Sequence, residues 1–295
     1  MIVEQRVELS RFTTLGTGGP AEAFARVETP DELLDALRWA DARGLAVATV
    51  GLGSNLLVGD QGVAALVLKL AGALAAVRIE DDRVRAGGGA TNAVVLHRAR
   101  AAGLGGFEFA CAIPGTTGGG VWMNAGAYGG NFSQVLERAL VVDAERGAEW
   151  LTPEQLGLRY RHSELRHGQV VAEVELGLVP RDPGEIKALV GELQARRKAA
   201  QPTNKRTFGS VFKNPEHELT AGRMLEACGL RGFRIGGAQI SPRHANFIEN
   251  AGDARTEDAL ALMVEARRRA REQHGVELEH EVELLGSIEL PPLDR

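Results

Sequence analysis

Two stretches of the chain strip the backbone of side chains where chemistry could use it bare. "GLGSNLLVGDQG" (51–62) follows the apolar run "LAVATV" and precedes "VAALVLKL", and "PGTTGGGVWMNAGAYGG" (114–130) combines hydroxyls with almost no bulk. Successive N–H groups in a glycine-rich turn form a concave nest for anionic oxygens, to which Ser54 and Asn55 add side-chain donors. The first loop lacks the third glycine of G-x-G-x-x-G, and a strand rather than a helix is expected after it, so its spacing is not that of a Rossmann fingerprint. No Gly-Lys-Ser/Thr follows either loop, which excludes a Walker loop. One such loop is equally well a tight turn. Two in one chain point to a ligand with an extended phosphate spine, such as a dinucleotide.

Other residues could carry chemistry, but their local pattern leaves plainer readings open. Arg161 in "YRHSEL" reads as a solvated loop arginine, and Ser210 in "GSVFKNP" as a turn hydroxyl after Gly209. Glu277, Glu279, Glu281 and Glu283 alternate on one face of an expected strand, and periodicity cannot choose among them. "RRKAAQP" (196–202) gathers three cations at a helix end, where they offset the dipole. Tyr128 could plug its glycine loop, and His244 and Asn246 in "RHANF" read as buried hydrogen bonders. The seven histidines show no paired metal spacing, and no metal is expected.

The elements that must position these residues alternate along the chain. "TPDELLDALRWADARG" has Thr29 as N-cap, Pro30 at the first helical position, Glu32 closing a capping box and Gly44 as stop. Leu33, Leu34, Leu37 and Ala40 form its apolar stripe. "ATNAVVLHRARAAG" reads as a second helix, and "DPGEIKALVGELQARRKAAQ" as a third, capped by Asp182 and stopped at Pro202. Hairpins are expected to turn at Asp81-Asp82 and Arg146-Gly147. A short helix near "TAGRMLEACG", strands in "FRIGGAQIS" and "ANFIEN", the helix "TEDALALMVEARRRAREQHG" and an alternating strand "VELEHEVELLG" complete the pattern. Glycine, 37 of 295 residues against an average near 7%, clusters in the first half, which is therefore expected to wrap a ligand. A domain boundary is placed between 181 and 201.

Composition bounds the partners. With 44% hydrophobic and 25% charged residues the chain is an ordinary globular one. A net charge of −5 leaves no electrostatic footprint for nucleic acid. Cys111 and Cys228 lie far apart, which suits a reducing compartment. The N-terminus is too polar for a signal peptide, and no apolar run reaches the roughly 18 residues of a spanning helix. A cytoplasmic protein with no membrane partner is expected.

Taken in order, "GLGSNLLVGDQG", "GFEFACAIPGTTGGGVWMNAGAYGG", "YRHSEL", "GSVFKNP", "GGAQISPRHANFIEN" and "LEHEVELLG" resemble the bacterial UDP-N-acetylenolpyruvoylglucosamine reductase (UDP-N-acetylmuramate dehydrogenase) family, from "TTLGTGGPAEAF" to Gly286. The resemblance implies an α+β fold: a two-lobed, non-Rossmann FAD-binding domain of the FAD-linked oxidase type over 1–190 (lobes about 1–70 and 71–190), then an α/β substrate-binding domain over 191–295. It implies noncovalent FAD, NADPH as reductant, a role in peptidoglycan precursor synthesis and a monomer. FAD would lie against Gly51, Gly53, Ser54, Asn55 and Leu56, and against Pro114, Gly115, Thr117, Gly118 and Gly119. The substrate is an enolpyruvyl ether whose reduction adds hydride, from reduced flavin, to the terminal vinyl carbon, so the enzyme needs stabilisers at the carboxylate and an acid for the α-carbon. The resemblance places Arg161 at the carboxylate, Ser210 as proton donor and Glu281 as the catalytic glutamate. Serine is a poor acid and needs a neighbour to stabilise the alkoxide, for which Lys213 or a proton-sharing water is the candidate. The resemblance also makes Tyr128, Lys198, Lys213 and Asn214 contacts of the uridine diphosphate, with Arg197 a weaker candidate. The stretch before "YRHSEL" has no room for an inserted tyrosine loop, so the chain resembles the shorter, second type of the family. An FAD-linked oxidase of a sugar or alcohol, with Cys111 near the second loop, a non-redox UDP-sugar-binding protein and a nucleotidyl transferase are the competing readings.

Overall fold

In the computed structural model, which describes residues 1–292, local chemistry starts the helices where the sequence suggests. In α1 (Pro30–Asp41) the Thr29 hydroxyl accepts from Glu32 N at 3.2 Å, and the Glu32 carboxylate accepts from Glu28 N, one residue before the cap. Leu33, Ala36, Leu37 and Ala40 are buried, while Leu34 is only half-buried. Helix α2 (Asn92–Ala101) is capped by Thr91. Helix α3 (Thr117–Trp122), which falls in the expected second glycine loop, is capped by Thr116. Helix α4 (Pro183–Ala200) starts at Asp182, whose carboxylate accepts from Gly184 N and Glu185 N. Helix α5 (Ala221–Ala227) is capped by Thr220, and α6 (Thr256–His274) ends at Gly275 in the left-handed conformation.

The chain forms two units. The first takes Met1–Arg6, Ala23–Leu52 and Ala64–Arg197. Here the strands Val3–Glu8, Pro20–Val27, Val63–Leu70 and Ala46–Thr49 line up in that order, the last two parallel. A five-stranded antiparallel sheet has the order Gly147–Leu151, Leu136–Asp143, Val170–Gly177, Arg83–Gly87, Val77–Glu80. Both expected hairpins are present, with Asp81 at φ +55° and Gly147 at φ +77° in their turns. The buried face of α1 packs with Ala23, Ala25, Val27, Leu66 and Leu68 and with Val142, Val170 and Ala172, so one helix joins the cores of both sheets. A second core centres on Phe107, Phe109 and Phe132, packed edge to face.

The second unit takes Val7–Glu22, Gly53–Val63 and the chain from Lys198 onward. Its antiparallel sheet has the order Thr207–Ser210, Phe247–Asn250, Ala238–Ile240, Arg234–Ile235, and α5 and α6 share a core with it and with Leu15 and Leu57. The loop after Leu57 starts α6: the Thr256 hydroxyl donates to Val58 O at 2.6 Å, and the Asp60 carboxylate accepts from Thr256 N and Glu257 N at 3.1 and 3.2 Å. Removing such a cap costs about 1–2 kcal/mol, so Asp60→Ala is expected to lower the urea midpoint by that much stability. Asp60→Asn keeps an acceptor and gives up only the charge–dipole part, about 0.3–1 kcal/mol.

The terminal segment departs from the expected alternating strand over 276–286. Only Glu283–Leu285 forms a strand, parallel to Leu56–Val58. Upstream the chain is held at separate points: a single bridge pairs His280 with Phe212, and the buried Arg267 donates to Leu278 O and to the Glu277 carboxylate. Leu278 and Val282 are buried, so the apolar alternation is real, but it is satisfied by anchoring rather than by a continuous ladder.

Candidate active site

In the first unit the two glycine loops meet. A Cβ on Gly51 would lie 2.7 Å from the Thr116 hydroxyl, so only glycine lets this backbone rest on the cap of α3. The Lys69 ammonium donates to Gly51 O at 2.6 Å, and burial, followed by the neighbouring Arg26 charge, lowers its pKa. The start of α3 is fixed from within. Thr117 N and Gly118 N donate to Ala90 O and Gly88 O, and the buried Thr117 hydroxyl donates to Gly87 O at 2.7 Å. Gly115 O accepts from Asn92 N, and Pro114 is exposed. Side chains at Gly118 and Gly120 would strike Gly88 and the Phe132 ring. Gly119 differs: it is exposed, and a Cβ there would find nothing closer than the Thr116 hydroxyl at 3.6 Å. Packing explains its neighbours. It does not explain Gly119, whose missing side chain leaves the exposed backbone of α3 open to approach.

Arg161 stands at the apex of a tight turn in which Arg159 and His162 exchange both backbone hydrogen bonds. Its φ is +53°, its Nη2 donates to Gly126 O at 2.7 Å, and its guanidinium lies 5.2 Å from the Tyr160 ring centroid. Tyr128, also at φ +53°, is exposed beneath the Arg196 guanidinium at 5.2 Å. Burial lowers the Arg197 pKa, a shift that Tyr128 and Cys111 oppose. Burial also raises the Cys111 thiol, against the Arg197 charge, which keeps it protonated and a poor point of covalent attachment.

In the second unit, Gly53 faces the chain itself: a Cβ there would lie 2.0 Å from Phe12 O, and Gly53 O accepts from Thr14 N and the Thr14 hydroxyl. Ser54 O lies 3.1 Å from where a Cβ of Gly209 (φ +84°) would sit, so the turn before Ser210 runs against this loop. Asn55 reaches the terminal segment twice, its Nδ2 donating to Glu281 O and its carbonyl accepting from Glu283 N, and Leu56 opens the paired strand. Glu281 N donates to Val211 O at 2.8 Å, which brings the backbones of Ser210 and Glu281 to one place. Of the four alternating glutamates, Glu277 pairs with Arg267 and Glu279 with Lys213, and the backbones of Glu281 and Glu283 both bond to Asn55.

Asn214 Oδ1 caps α5 through Ala221 N. Lys198 is exposed at the end of α4, one residue from a carbonyl (Ala199 O) that accepts from both Nε and Nη2 of Arg243. Asn246 is a buried hydrogen bonder, as its sequence context suggests: it exchanges two hydrogen bonds with the Phe212 backbone. His244 Nδ1 accepts from Asn246 N, and burial, then the Arg231 charge, lowers its pKa. Lys69, Asn124, Arg243 and Asp60 carry no local signal, because their partners are distant in sequence. Among the described residues no cluster of three His, Cys, Asp or Glu could hold a metal ion, and no helix is long and apolar enough to cross a membrane.

Comparison with known proteins fits this geometry. Residues 21–149 match the FAD binding domain model, and residues 201–285 match the model of the UDP-N-acetylenolpyruvoylglucosamine reductase C-terminal domain. The chain is 43% identical over 279 residues to UDP-N-acetylenolpyruvoylglucosamine reductase 2 of Symbiobacterium thermophilum, covering 94% of this chain and 90% of the relative. It is 42% identical to the reductase of Myxococcus xanthus, covering 95% and 91%. The crystal structure of the reductase from Thermus caldophilus matches with a TM-score of 0.84 at 39% identity, covering 97% of this chain and 99% of that one. The fold is accordingly α+β with an FAD-binding domain and a reductase C-terminal domain, and the chain is an FAD-dependent oxidoreductase that belongs to the UDP-N-acetylenolpyruvoylglucosamine reductase family.

Proposed function

We propose that this chain reduces the enolpyruvyl group of UDP-N-acetylglucosamine-enolpyruvate to UDP-N-acetylmuramate, with NADPH as reductant, in peptidoglycan precursor synthesis in the cytoplasm, acting as a monomer. Beyond family membership, the observation that carries the reading is the Glu281 N–Val211 O bond, which sets the Glu281 backbone against the residue that follows Ser210. FAD, when bound, supplies the two-electron chemistry between NADPH and the vinyl carbon. The region 1–190 holds it, in lobes of about 1–70 and 71–190, against Gly51–Leu56 and Pro114–Gly119. The region 191–295 binds the substrate. Arg161 takes the carboxylate and steadies the charge that develops there. Ser210 gives a proton to the α-carbon, and Glu281 acts beside it. Lys198, Lys213, Asn214 and Tyr128 take the uridine diphosphate. Lys213 has three N–H donors and spends one on Glu279, and the Asn214 side-chain oxygen caps α5.

The test uses purified holoenzyme without oxygen. NADPH should bleach the flavin absorbance, and the enolpyruvyl substrate should restore it with a product heavier by two hydrogens. A flavin that NADPH bleaches and the substrate leaves reduced would overturn the proposal.

Gly119 tests the cofactor assignment separately. Alanine there meets only ordinary contacts, and exchanging glycine for alanine inside a helix gains up to about 1 kcal/mol. Gly119→Ala should keep or raise the apoprotein melting temperature while weakening FAD at least about tenfold, since one crowded methyl in a close-packed site costs ~1–3 kcal/mol. Unchanged FAD affinity in a titration would remove α3 from the cofactor site.

A further inference from the structure

Three hydrogen bonds lace the glycine-rich segment 122–133 to the turn that carries Arg161. Ser163 Oγ donates to Trp122 O at 2.6 Å, Arg161 Nη2 donates to Gly126 O at 2.7 Å, and Asn124 Nδ2 donates to Arg159 O at 3.0 Å. Asn124 is the most deeply buried of the three donors, 5% exposed against 9% for Ser163. Its φ is +39°, a region in which asparagine is among the few side chains tolerated. Its other side-chain atom is also engaged, Oδ1 accepting from Ser133 N at 2.9 Å. One amide group thus joins Ser133 to the carbonyl of Arg159, the same carbonyl that closes the turn by accepting from His162 N at 3.2 Å. Arg161 sits at that apex with φ +53°. A non-glycine residue persists in such a conformation only when its surroundings over-determine it. The bond to Arg159, two residues before Arg161, and that of Ser163, two residues after, supply this constraint.

We propose that Asn124 is a positioning residue for Arg161, holding the turn so that the guanidinium is presented to the substrate carboxylate before the substrate arrives. The inference rests on the proposed role of Arg161. A displacement of about 1 Å at a catalytic group can cost about 10²-fold in rate, which sets the scale of the effect.

Asn124→Asp separates the two bonds. The acceptor for Ser133 N survives, while the donor to Arg159 O is lost and a carboxylate faces that carbonyl. Substrate reoxidation of the reduced flavin should slow by about 10–10²-fold, with flavin content normal and NADPH reduction of the flavin within about threefold. In the Arg161→Ala background the same change should cost less than about threefold, because a residue that acts only through Arg161 has nothing left to position. Should the buried carboxylate prevent folding, Asn124→Gly keeps the backbone conformation, removes every side-chain bond of Asn124 and carries the same two comparisons. Losses that multiply in the double variant, or equal slowing of both half-reactions, would overturn the positioning role while leaving Arg161 intact. Normal substrate reduction by Arg161→Ala alone would overturn the Arg161 reading and this inference with it.

Discussion

Replacing Ser210 by alanine should leave NADPH reduction of the flavin near its normal rate and slow reoxidation by the enolpyruvyl substrate by at least about 10²-fold, the lower end of what general acid catalysis is worth. The two half-reactions differ in one respect: only the second delivers a proton to carbon. The frame around Ser210 does not depend on its hydroxyl. Val211 N donates to Asn246 O, Val211 O accepts from Glu281 N, and Ser210 stands in register with Phe247. The variant should therefore melt where the parent does, and a kinetic loss can be read as chemistry. Ser210→Cys offers a proton donor of similar size and should recover part of the rate. Rapid mixing of each half-reaction decides the matter, and equal slowing of both would reduce Ser210 to a residue that shapes the site.

Arg161 is expected to show the other large effect. Arg161→Ala should slow the substrate half-reaction by about 10²–10³-fold, the range for removing one donor from a developing oxyanion. Arg161→Lys keeps the charge and gives up the planar fork. Since Nη2 is already donated to Gly126 O, a lysine cannot both keep that tether and meet a carboxylate side-on, so it should remain well below the parent. Charge restoring full turnover would show that the fork is irrelevant.

Much of the scaffold was legible because its causes are local. Thr29, Thr91, Thr220 and Asp182 cap helices through bonds to residues two or three positions away, and Asp81 and Gly147 turn hairpins by their own backbone preference. Glycine was legible as close approach, but not what it approaches. Gly53 meets Phe12 O, Gly88 meets Val171 O and Gly51 meets the Thr116 hydroxyl, all remote in sequence. The terminal alternation misled because a period of two reports which residues face inward and says nothing of whether a neighbour runs alongside. The same distance hid the ion pairs of Glu277 with Arg267 and of Glu279 with Lys213.

The division of the chain has a consequence for its synthesis. The second unit draws Val7–Glu22 and Gly53–Val63 from the first quarter of the chain and everything else from Lys198 onward. Leu15 and Leu57, fully buried there with Phe208, Met224 and Leu262, emerge from the ribosome more than 200 residues before the last of those partners. At 5–20 residues per second the nascent chain must carry them unsatisfied for on the order of 10–40 s. The strand Leu56–Val58 waits longer, until Glu283–Leu285 arrives to pair with it. A premature stop anywhere before that point strands these early segments. A fragment of 201–285 alone, although a family model covers that span, lacks Leu15, Leu57 and the neighbour of its final strand. Such a fragment should need the missing N-terminal pieces supplied in trans before it holds a core.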